Sequence, residues 1–136
     1  MNSLKSRSII LVLAIAIGLI YGCATYKGSD YNDNGYYLTT IDQSFDNVYN
    51  GALKVVKTGQ TADTNNQSYD IKINKKTSDE AVIIGQNDTN PSDYIEIIIR
   101  KESADKTRLS IKYGKDGDSI RSSALIPIIQ KNISKS

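Results

Sequence analysis

The feature that most constrains this chain is its N-terminal segment, where two basic residues precede an apolar run and a single cysteine. Lys5 and Arg7 come first, the apolar run extends from Ile9 to Tyr21, and Gly22 and Cys23 follow. A helix made of this run would be about 20 Å long, whereas the hydrocarbon core of a bilayer is roughly 30 Å thick. The run is short for a membrane span, and the regions follow the order of an export signal. We predict that the segment before the cysteine is a cleaved signal peptide.

The end of this segment, Leu19-Ile20-Tyr21-Gly22-Cys23, resembles the lipobox of bacterial lipoproteins. The resemblance implies that cleavage follows Gly22 and that Cys23 is the lipidation site. Its thiol would carry a diacylglyceryl group, and its amine a further fatty acid such as palmitate. Two or three acyl chains, at about 0.8 kcal/mol per buried methylene, anchor a protein firmly. Two other interpretations stay open: a buried N-terminal helix with an incidental thiol, and an uncleaved signal anchor.

The residue after the cysteine bears on the destination of the protein. Ala24 stands where lipoproteins retained in the inner membrane usually carry Asp. The resemblance therefore implies an anchor in the outer membrane that faces the periplasm, with the inner membrane less favoured. We expect three parts: a signal peptide over 1–22, a lipidated cysteine and tether over 23–35, and a single α+β domain over 36–136.

The charge of the exported part argues against a nucleic-acid partner. The chain has 17 basic and 15 acidic residues, and two of the basic ones, Lys5 and Arg7, leave with the signal peptide. The rest is formally neutral and lacks the positive field with which proteins bind phosphate backbones. Because its one cysteine is assigned to lipid, the domain is expected to be held by packing without a disulfide.

Hydrophobic periodicity predicts a strand and then a helix at the start of the domain. Residues 36–41 alternate in the manner of a short strand rich in β-branched and aromatic side chains. The helix that follows has Ser44 as its N-cap and Gly59 as its C-terminal cap. Gly51 lies inside this helix at a cost of about 1 kcal/mol relative to Ala, which we interpret as a close approach to the sheet.

Four further strand patterns are separated by short turns. They lie at 69–74, 81–84, 94–100 and 108–113. In the first, Tyr69, Ile71 and Ile73 alternate with polar residues and are predicted to share one face. Strands joined in this way form an antiparallel meander with one apolar face, which another layer must cover.

We expect the first helix and a second one near the C-terminus to cover this apolar face. An acidic start at Asp116 to Ser119 suits a helix N-terminus, and apolar residues recur at helical spacing up to Ile133. Pro127 removes one backbone hydrogen bond, so we expect a kink or a helix boundary near Leu125. The predicted order is β-α-β-β-β-β-α, a two-layer α+β domain with both helices on one face of an antiparallel sheet.

Several short motifs together resemble a family of small Gram-negative bacterial lipoproteins whose C-terminal domain has no known function. The motifs are Phe45-x-x-Val48-Tyr49-x-x-Ala52, Ile111-Lys112-Tyr113-Gly114 and Gly117-Asp118. The order of strands and helices is also similar to the helix-grip domains of an outer-membrane assembly lipoprotein, a likeness that concerns the fold alone.

Few side chains are available for catalysis or for binding a cofactor. There is no histidine, so neither a histidine base nor an imidazole metal ligand is available. Residues 30–35 match the first half of a calcium loop, but Ile41 stands where the closing glutamate is needed, which favours an ordinary turn. The carboxylate pairs that a glycosidase would need are Asp116 with Asp118, Asp79 with Glu80, and Glu96 with Glu102. These pairs stand in a helix cap, in turns or on exposed strand faces, so we expect no catalytic residue, metal or other cofactor.

Two functional hypotheses follow from these observations. The preferred one is an envelope lipoprotein, anchored in the membrane through lipid on Cys23, whose periplasm-facing domain binds a partner without catalysis. An envelope protein or peptidoglycan is the expected partner. The alternative is a small hydrolase or inhibitor that acts on the cell wall through carboxylates.

Overall fold

The computed structural model describes residues 30–32, 34–61 and 68–133 of the chain. Gly22 and Cys23, the predicted cleavage and lipidation residues, lie outside these ranges. The described residues form six strands and two helices. The strands are β1 (Asp30–Tyr31), β2 (Tyr37–Ile41), β3 (Asp70–Lys76), β4 (Glu80–Gln86), β5 (Tyr94–Ser103) and β6 (Lys106–Tyr113). The helices are α1 (Phe45–Lys57) and α2 (Ser119–Ile133).

From β2 onward the elements follow the predicted order β-α-β-β-β-β-α, and the α+β fold class is confirmed. The strands form one antiparallel sheet in the order β1-β2-β6-β5-β4-β3. The two-residue strand β1 lies within the segment that was predicted as a tether, and it pairs Asp30 with Leu38 on β2. Neither helix in the described part of the chain is long and apolar enough to cross a bilayer.

The core lies between one face of the sheet and the two helices. Strand β4 and the first six residues of β5 alternate between buried and more exposed residues, as their period of two requires. Strand β6 departs from this pattern at Ser110, which is buried on the opposite face from Leu109 and Ile111. The largest side chains that are fully buried on these strands are Ile83, Ile95, Ile97, Ile99, Leu109 and Ile111. Complete burial of such a side chain contributes about 1.5–3 kcal/mol, so this layer is the main source of stability.

Helix α1 begins and ends as the sequence predicts. The Ser44 side chain accepts a hydrogen bond from the backbone N–H of Asn47 at 3.3 Å, which caps the first turn. Gly59, directly after the C-cap residue Thr58, has a φ of 67°, the left-handed conformation that closes many helices. The apolar face of α1 is buried, including Val48, at 0% exposure.

The close approach at Gly51 is made to α2 and not to the sheet, which corrects our interpretation. A Cβ at this position would lie 2.8 Å from Cγ1 of Ile133 and 3.3 Å from the carbonyl oxygen of Ile129. Gly51 therefore lets the two helices pack closely where they cross. The sequence shows that a small residue is needed, but not which neighbour requires it.

The prediction of one apolar face for Tyr69, Ile71 and Ile73 is wrong for Ile73. The register of β3 against β4 shifts between Ile71 and Ile73, as in a β-bulge. An extra residue reverses the faces beyond it. Ile73 consequently pairs with Ile84 on the outer face of the sheet and is 37% exposed.

The bulge also turns polar residues of β3 toward α1. Asn74 accepts a hydrogen bond from the Tyr49 hydroxyl at 3.0 Å, and the Lys76 ammonium lies 2.7 Å from a carboxylate oxygen of Asp46. The same ammonium lies 4.8 Å from the Tyr49 ring centroid, within the range of a cation–π contact. These contacts fasten the edge strand to α1.

Helix α2 is continuous through Pro127, so of the two expected outcomes the helix boundary near Leu125 is wrong, and the kink stays a prediction. Pro127 is exposed, whereas Leu125 and Ile129 on either side are fully buried against the core. Because packing of such residues contributes more than one backbone hydrogen bond, the helix tolerates the proline.

Candidate functional site: the sheet-end cleft and the outer sheet face

A cleft of about 440 Å³ lies at the end of the sheet where β6 passes into α2. We call it the sheet-end cleft. Its walls come from the β4–β5 loop, the end of β6, the β6–α2 loop and the first turn of α2. Its lining residues are Asn90, Ser92, Asp93, Tyr113, Gly114, Lys115, Asp116, Gly117, Asp118 and Arg121.

A polar network centred on Arg121 forms part of the wall of this cleft. The guanidinium donates from Nη1 to Oδ1 of Asp93 at 3.2 Å and from Nη2 to the Tyr69 hydroxyl at 2.7 Å. The Tyr69 hydroxyl donates to the same Asp93 oxygen at 2.7 Å. The guanidinium carbon lies 4.2 Å from the ring centroid of Tyr113, so Arg121 also stacks on this ring.

Burial and hydrogen bonding set the protonation of the network. Burial raises the pKa of Tyr69 above its ordinary value of 10, and the hydrogen bond to Asp93 makes the next largest contribution. Burial lowers the pKa of Arg121, but Tyr69 and Asp93 raise it more, and the net direction is upward. The phenol is therefore neutral and the guanidinium charged at neutral pH, so Tyr69 is not poised as a general base.

In each of the three carboxylate pairs considered for hydrolysis, one member has another partner or the two lie far apart. Asp118 accepts a hydrogen bond from the Arg121 backbone N–H at 3.0 Å, which confirms it as the N-cap of α2. Glu80 pairs with Arg100 at 2.5 Å on the sheet surface. Glu96 and Glu102 are six residues apart on β5, about 20 Å along a strand, so they cannot act on one glycosidic bond.

The outer sheet face, which we define as the face opposite the two helices, carries a row of apolar side chains. The cross-strand register runs from Lys75 to Val82, Ile98, Ser110 and Leu38. Val82, Ile98 and Leu38 are half-buried although neither helix packs on them, because neighbouring side chains cover part of each.

A row of charged side chains borders the apolar row on one side, and a mixed row of Ile73, Ile84, Glu96 and Lys112 borders it on the other. The charges in both rows are largely compensated within the face. On one side Arg100 lies opposite Arg108, and each has an acidic partner, Glu80 for Arg100 and Glu102 for Arg108 at 2.6 Å. On the other side the Lys112 ammonium lies 5.1 Å from the Tyr36 ring centroid.

Tyr36 is hydrogen-bonded to Glu96, which lies opposite Lys112 in the register. Burial and a hydrogen bond to Glu96 raise the pKa of Tyr36 to about 12. The phenol, Glu96 and Lys112 thus form a group in which one positive and one negative charge offset each other. The outer sheet face presents apolar surface that continues from Val82 and Ile98 to Ile84 and Ile73 near the β3 edge, beside charged groups that are largely compensated.

The residues that resemble the first half of a calcium loop form an ordinary turn. The Asn32 side-chain oxygen accepts from the backbone N–H groups of Asn34 and Tyr36, both at 3.1 Å. Ile41, at the twelfth position, is buried in the core at 3% exposure. Among residues 30–32, 34–61 and 68–133, no three His, Cys, Asp or Glu side chains are grouped closely enough to hold a metal ion.

Sequence reasoning did not find the Arg121 network. Its members are separated by 24 to 52 positions and stand just before β3, just before β5 and in the first turn of α2. No motif links them, because only the meander and the helix crossing bring these element ends together. Alternation along single strands is a signal for an outer sheet face. It does not show that Ile73 lies on this face, because that depends on the bulge in β3.

Comparison with known proteins identifies a family. No curated protein matches the chain. A family model described as a protein of unknown function (DUF3568) matches residues 4–132, which include Lys5 to Cys23 and the described domain up to Asn132. This span is nearly the full chain, and the chain therefore belongs to the DUF3568 family of proteins of unknown function.

Proposed function

We propose that this protein is a lipid-anchored lipoprotein of the bacterial outer membrane whose α+β domain binds another envelope component without catalysing a reaction. The lipid would be carried on Cys23, and the binding surface would be the outer sheet face. An envelope protein is the partner that this surface suits best.

The anchor half of the proposal rests on the N-terminal segment. Lys5, Arg7, the apolar run and the Gly22-Cys23 pair have the order and lengths of a lipoprotein signal. The family match begins at residue 4, so this segment is part of the region that the chain shares with its family. A lone thiol would be a weak argument, but the charge, the apolar length and the cysteine position support one another.

The binding half rests on one observation, the apolar row of Leu38, Val82 and Ile98 on a sheet face that neither helix covers. Apolar surface beside polar side chains is the arrangement that protein interfaces use, with an apolar centre and a polar rim. In two of the pairs considered for hydrolysis one carboxylate has another role: Asp118 caps α2 and Glu80 pairs with Arg100. A binding role without catalysis fits these assignments.

Lipidation is tested by comparing the wild-type protein with Cys23→Ser in bacterial cells. We expect the wild type to incorporate a labelled fatty acid and to partition into detergent, and the variant to do neither. Ser is the matched substitution because it differs from Cys by one atom and leaves the apolar run unchanged. Equal processing and equal partitioning of the two proteins would refute the anchor.

Partner binding is tested by photo-crosslinking in intact cells. A photoreactive residue at Val82 or Ile98 reports on the outer sheet face, and one at Asn50 or Lys54 reports on the exposed side of α1. We expect a discrete adduct from the sheet positions and none from the helix positions. Adducts from the helix alone, or none from the sheet, would contradict the proposed surface.

A further inference from the structure

The turn between β1 and β2 lies against the β6–α2 loop, backbone to backbone. A Cβ at Gly35 would lie 2.5 Å from the carbonyl oxygen of Asp116, and a Cβ at Gly117 would overlap the carbonyl oxygen of Gly35. Both glycines have positive φ, 83° and 79°. Glycine is needed at each position for its conformation and for the space, since no side chain fits between the two segments.

The β1–β2 turn is internally well bonded. The backbone N–H of Asn32 donates to the carbonyl oxygen of Tyr36 at 3.0 Å, and that of Gly35 donates to the carbonyl oxygen of Asn32 at 3.0 Å. The Asn32 side chain adds two further bonds, to the N–H groups of Asn34 and Tyr36. The turn therefore presents the Gly35 backbone to the loop as a fixed surface.

The loop on the other side of this contact leads directly into the sheet-end cleft. Asp116, Gly117 and Asp118 line the cleft, and Asp118 caps the turn of α2 that carries Arg121. The carbonyl oxygen of Asp118 also accepts from the N–H of Ser122 at 2.9 Å. A displacement of the loop would consequently move the first turn of α2 and the wall of the cleft.

We propose that the β1–β2 turn is a strap that holds the β6–α2 loop in place, so that the N-terminal hairpin and the sheet-end cleft open together. Close-packed backbone segments have no compressible layer between them, and a shift of one is passed to the other. Coupling of this kind is reciprocal: loosening the turn frees the loop, and loosening the loop frees the turn. The turn follows the predicted lipid anchor in the chain. A force that pulls on this anchor would therefore also displace the loop that lines the cleft, a consequence that rests on the proposed function.

Hydrogen exchange of the full-length Cys23→Ser protein tests the strap in both directions. Asn32→Ala removes two bonds inside the turn without touching the loop, and we expect amides at 114–122 to exchange about tenfold faster. Gly117→Ala forces the segments apart from the loop side, and we expect amides at 34–38 to exchange faster by a similar factor. Gly59→Ala is the matched control. It has the same kind of positive φ but only an ordinary 3.4 Å contact to Cβ of Ser68, so neither region should respond.

The proposed coupling requires that each variant accelerates exchange in the segment opposite to the one that it changes. If either variant leaves the opposite segment at its wild-type exchange rate, or if Gly59→Ala raises exchange in both regions, the strap is refuted. Thermal melting of each variant identifies global unfolding, which would raise exchange throughout the core and would also count against a local strap. The exchange measurement uses a protein that cannot be lipidated at Cys23. A negative result would therefore refute the strap and not the lipid anchor, and a negative lipidation test would refute the anchor and not the strap.

Discussion

Replacing Arg121 by Met should be among the most damaging changes of a charged residue in this domain. The Arg121 and Asp93 side chains are 28% and 21% exposed, so they form a largely desolvated pair. Removing one partner of a buried ion pair costs about 3–5 kcal/mol, and partial exposure reduces this to roughly 2–3 kcal/mol. Loss of the stacking on Tyr113 adds roughly 0.5–1 kcal/mol. We expect a total loss of about 3 kcal/mol.

The matched control is Arg100→Met on the outer sheet face. This arginine also pairs with one carboxylate, on Glu80, but the two side chains are 57% and 46% exposed. Solvent screens such a pair, and its loss should cost at most about 1 kcal/mol. Met retains most of the aliphatic stem in both variants, so the comparison isolates the charged group.

Chemical and thermal unfolding of the two variants in the Cys23→Ser background measures the difference. In a domain of about 100 residues, 1 kcal/mol shifts Tm by roughly 4–8 °C, so Arg121→Met should melt about 12–24 °C below the parent and Arg100→Met no more than about 8 °C below it. Equal losses in the two variants would show that burial of the pair does not determine its contribution, which would refute the reasoning.

Three further predictions concern pH, helix packing and capping. The raised pKa of Tyr69 implies a stabilisation that is complete below pH 10 and is lost as the pH rises further, so unfolding free energy should fall at alkaline pH, and less steeply in Tyr69→Phe. Gly51→Ala gains about 1 kcal/mol of helix propensity but meets the Ile133 side chain, so it should destabilise the parent and destabilise an Ile133→Ala background less, as a double-mutant cycle of denaturant unfolding would reveal. Asp118→Asn should keep the helix cap within about 0.5 kcal/mol, whereas Asp118→Ala should lose about 1 kcal/mol in the same assay.

The elements that the sequence predicted correctly are those with strong local signals. In β5, Ile95, Ile97 and Ile99 recur at the period of a strand, and all three are fully buried. At α1, Ser44 stands directly before the helix, and its side chain makes the expected capping bond. Such signals act over a few residues, and tertiary packing agrees with them.

The features that were missed depend on contacts between distant segments. The bulge before Ile73 reverses one edge strand, and its effect can be seen only in the register against β4. Pro127 remains inside α2 because the residues around it are buried by the sheet and by α1, a contribution that local propensity does not include. The Arg121 network similarly requires three separate element ends to meet.

The charge arrangement of the outer sheet face determines what kind of binding this domain can support. Arg100 and Arg108 have acidic partners within the face, and Lys112 lies beside Glu96 in the register. Long-range steering needs an uncompensated field, which this face lacks because its charges are paired and the residues after Cys23 are formally neutral. Affinity would come mainly from burial of the apolar row, and the rate of association would be set by diffusion and orientation. The crosslinking yield from Val82 and Ile98 should therefore change little between low and high salt, whereas a steep loss at high salt would indicate that a charged surface elsewhere makes the contact.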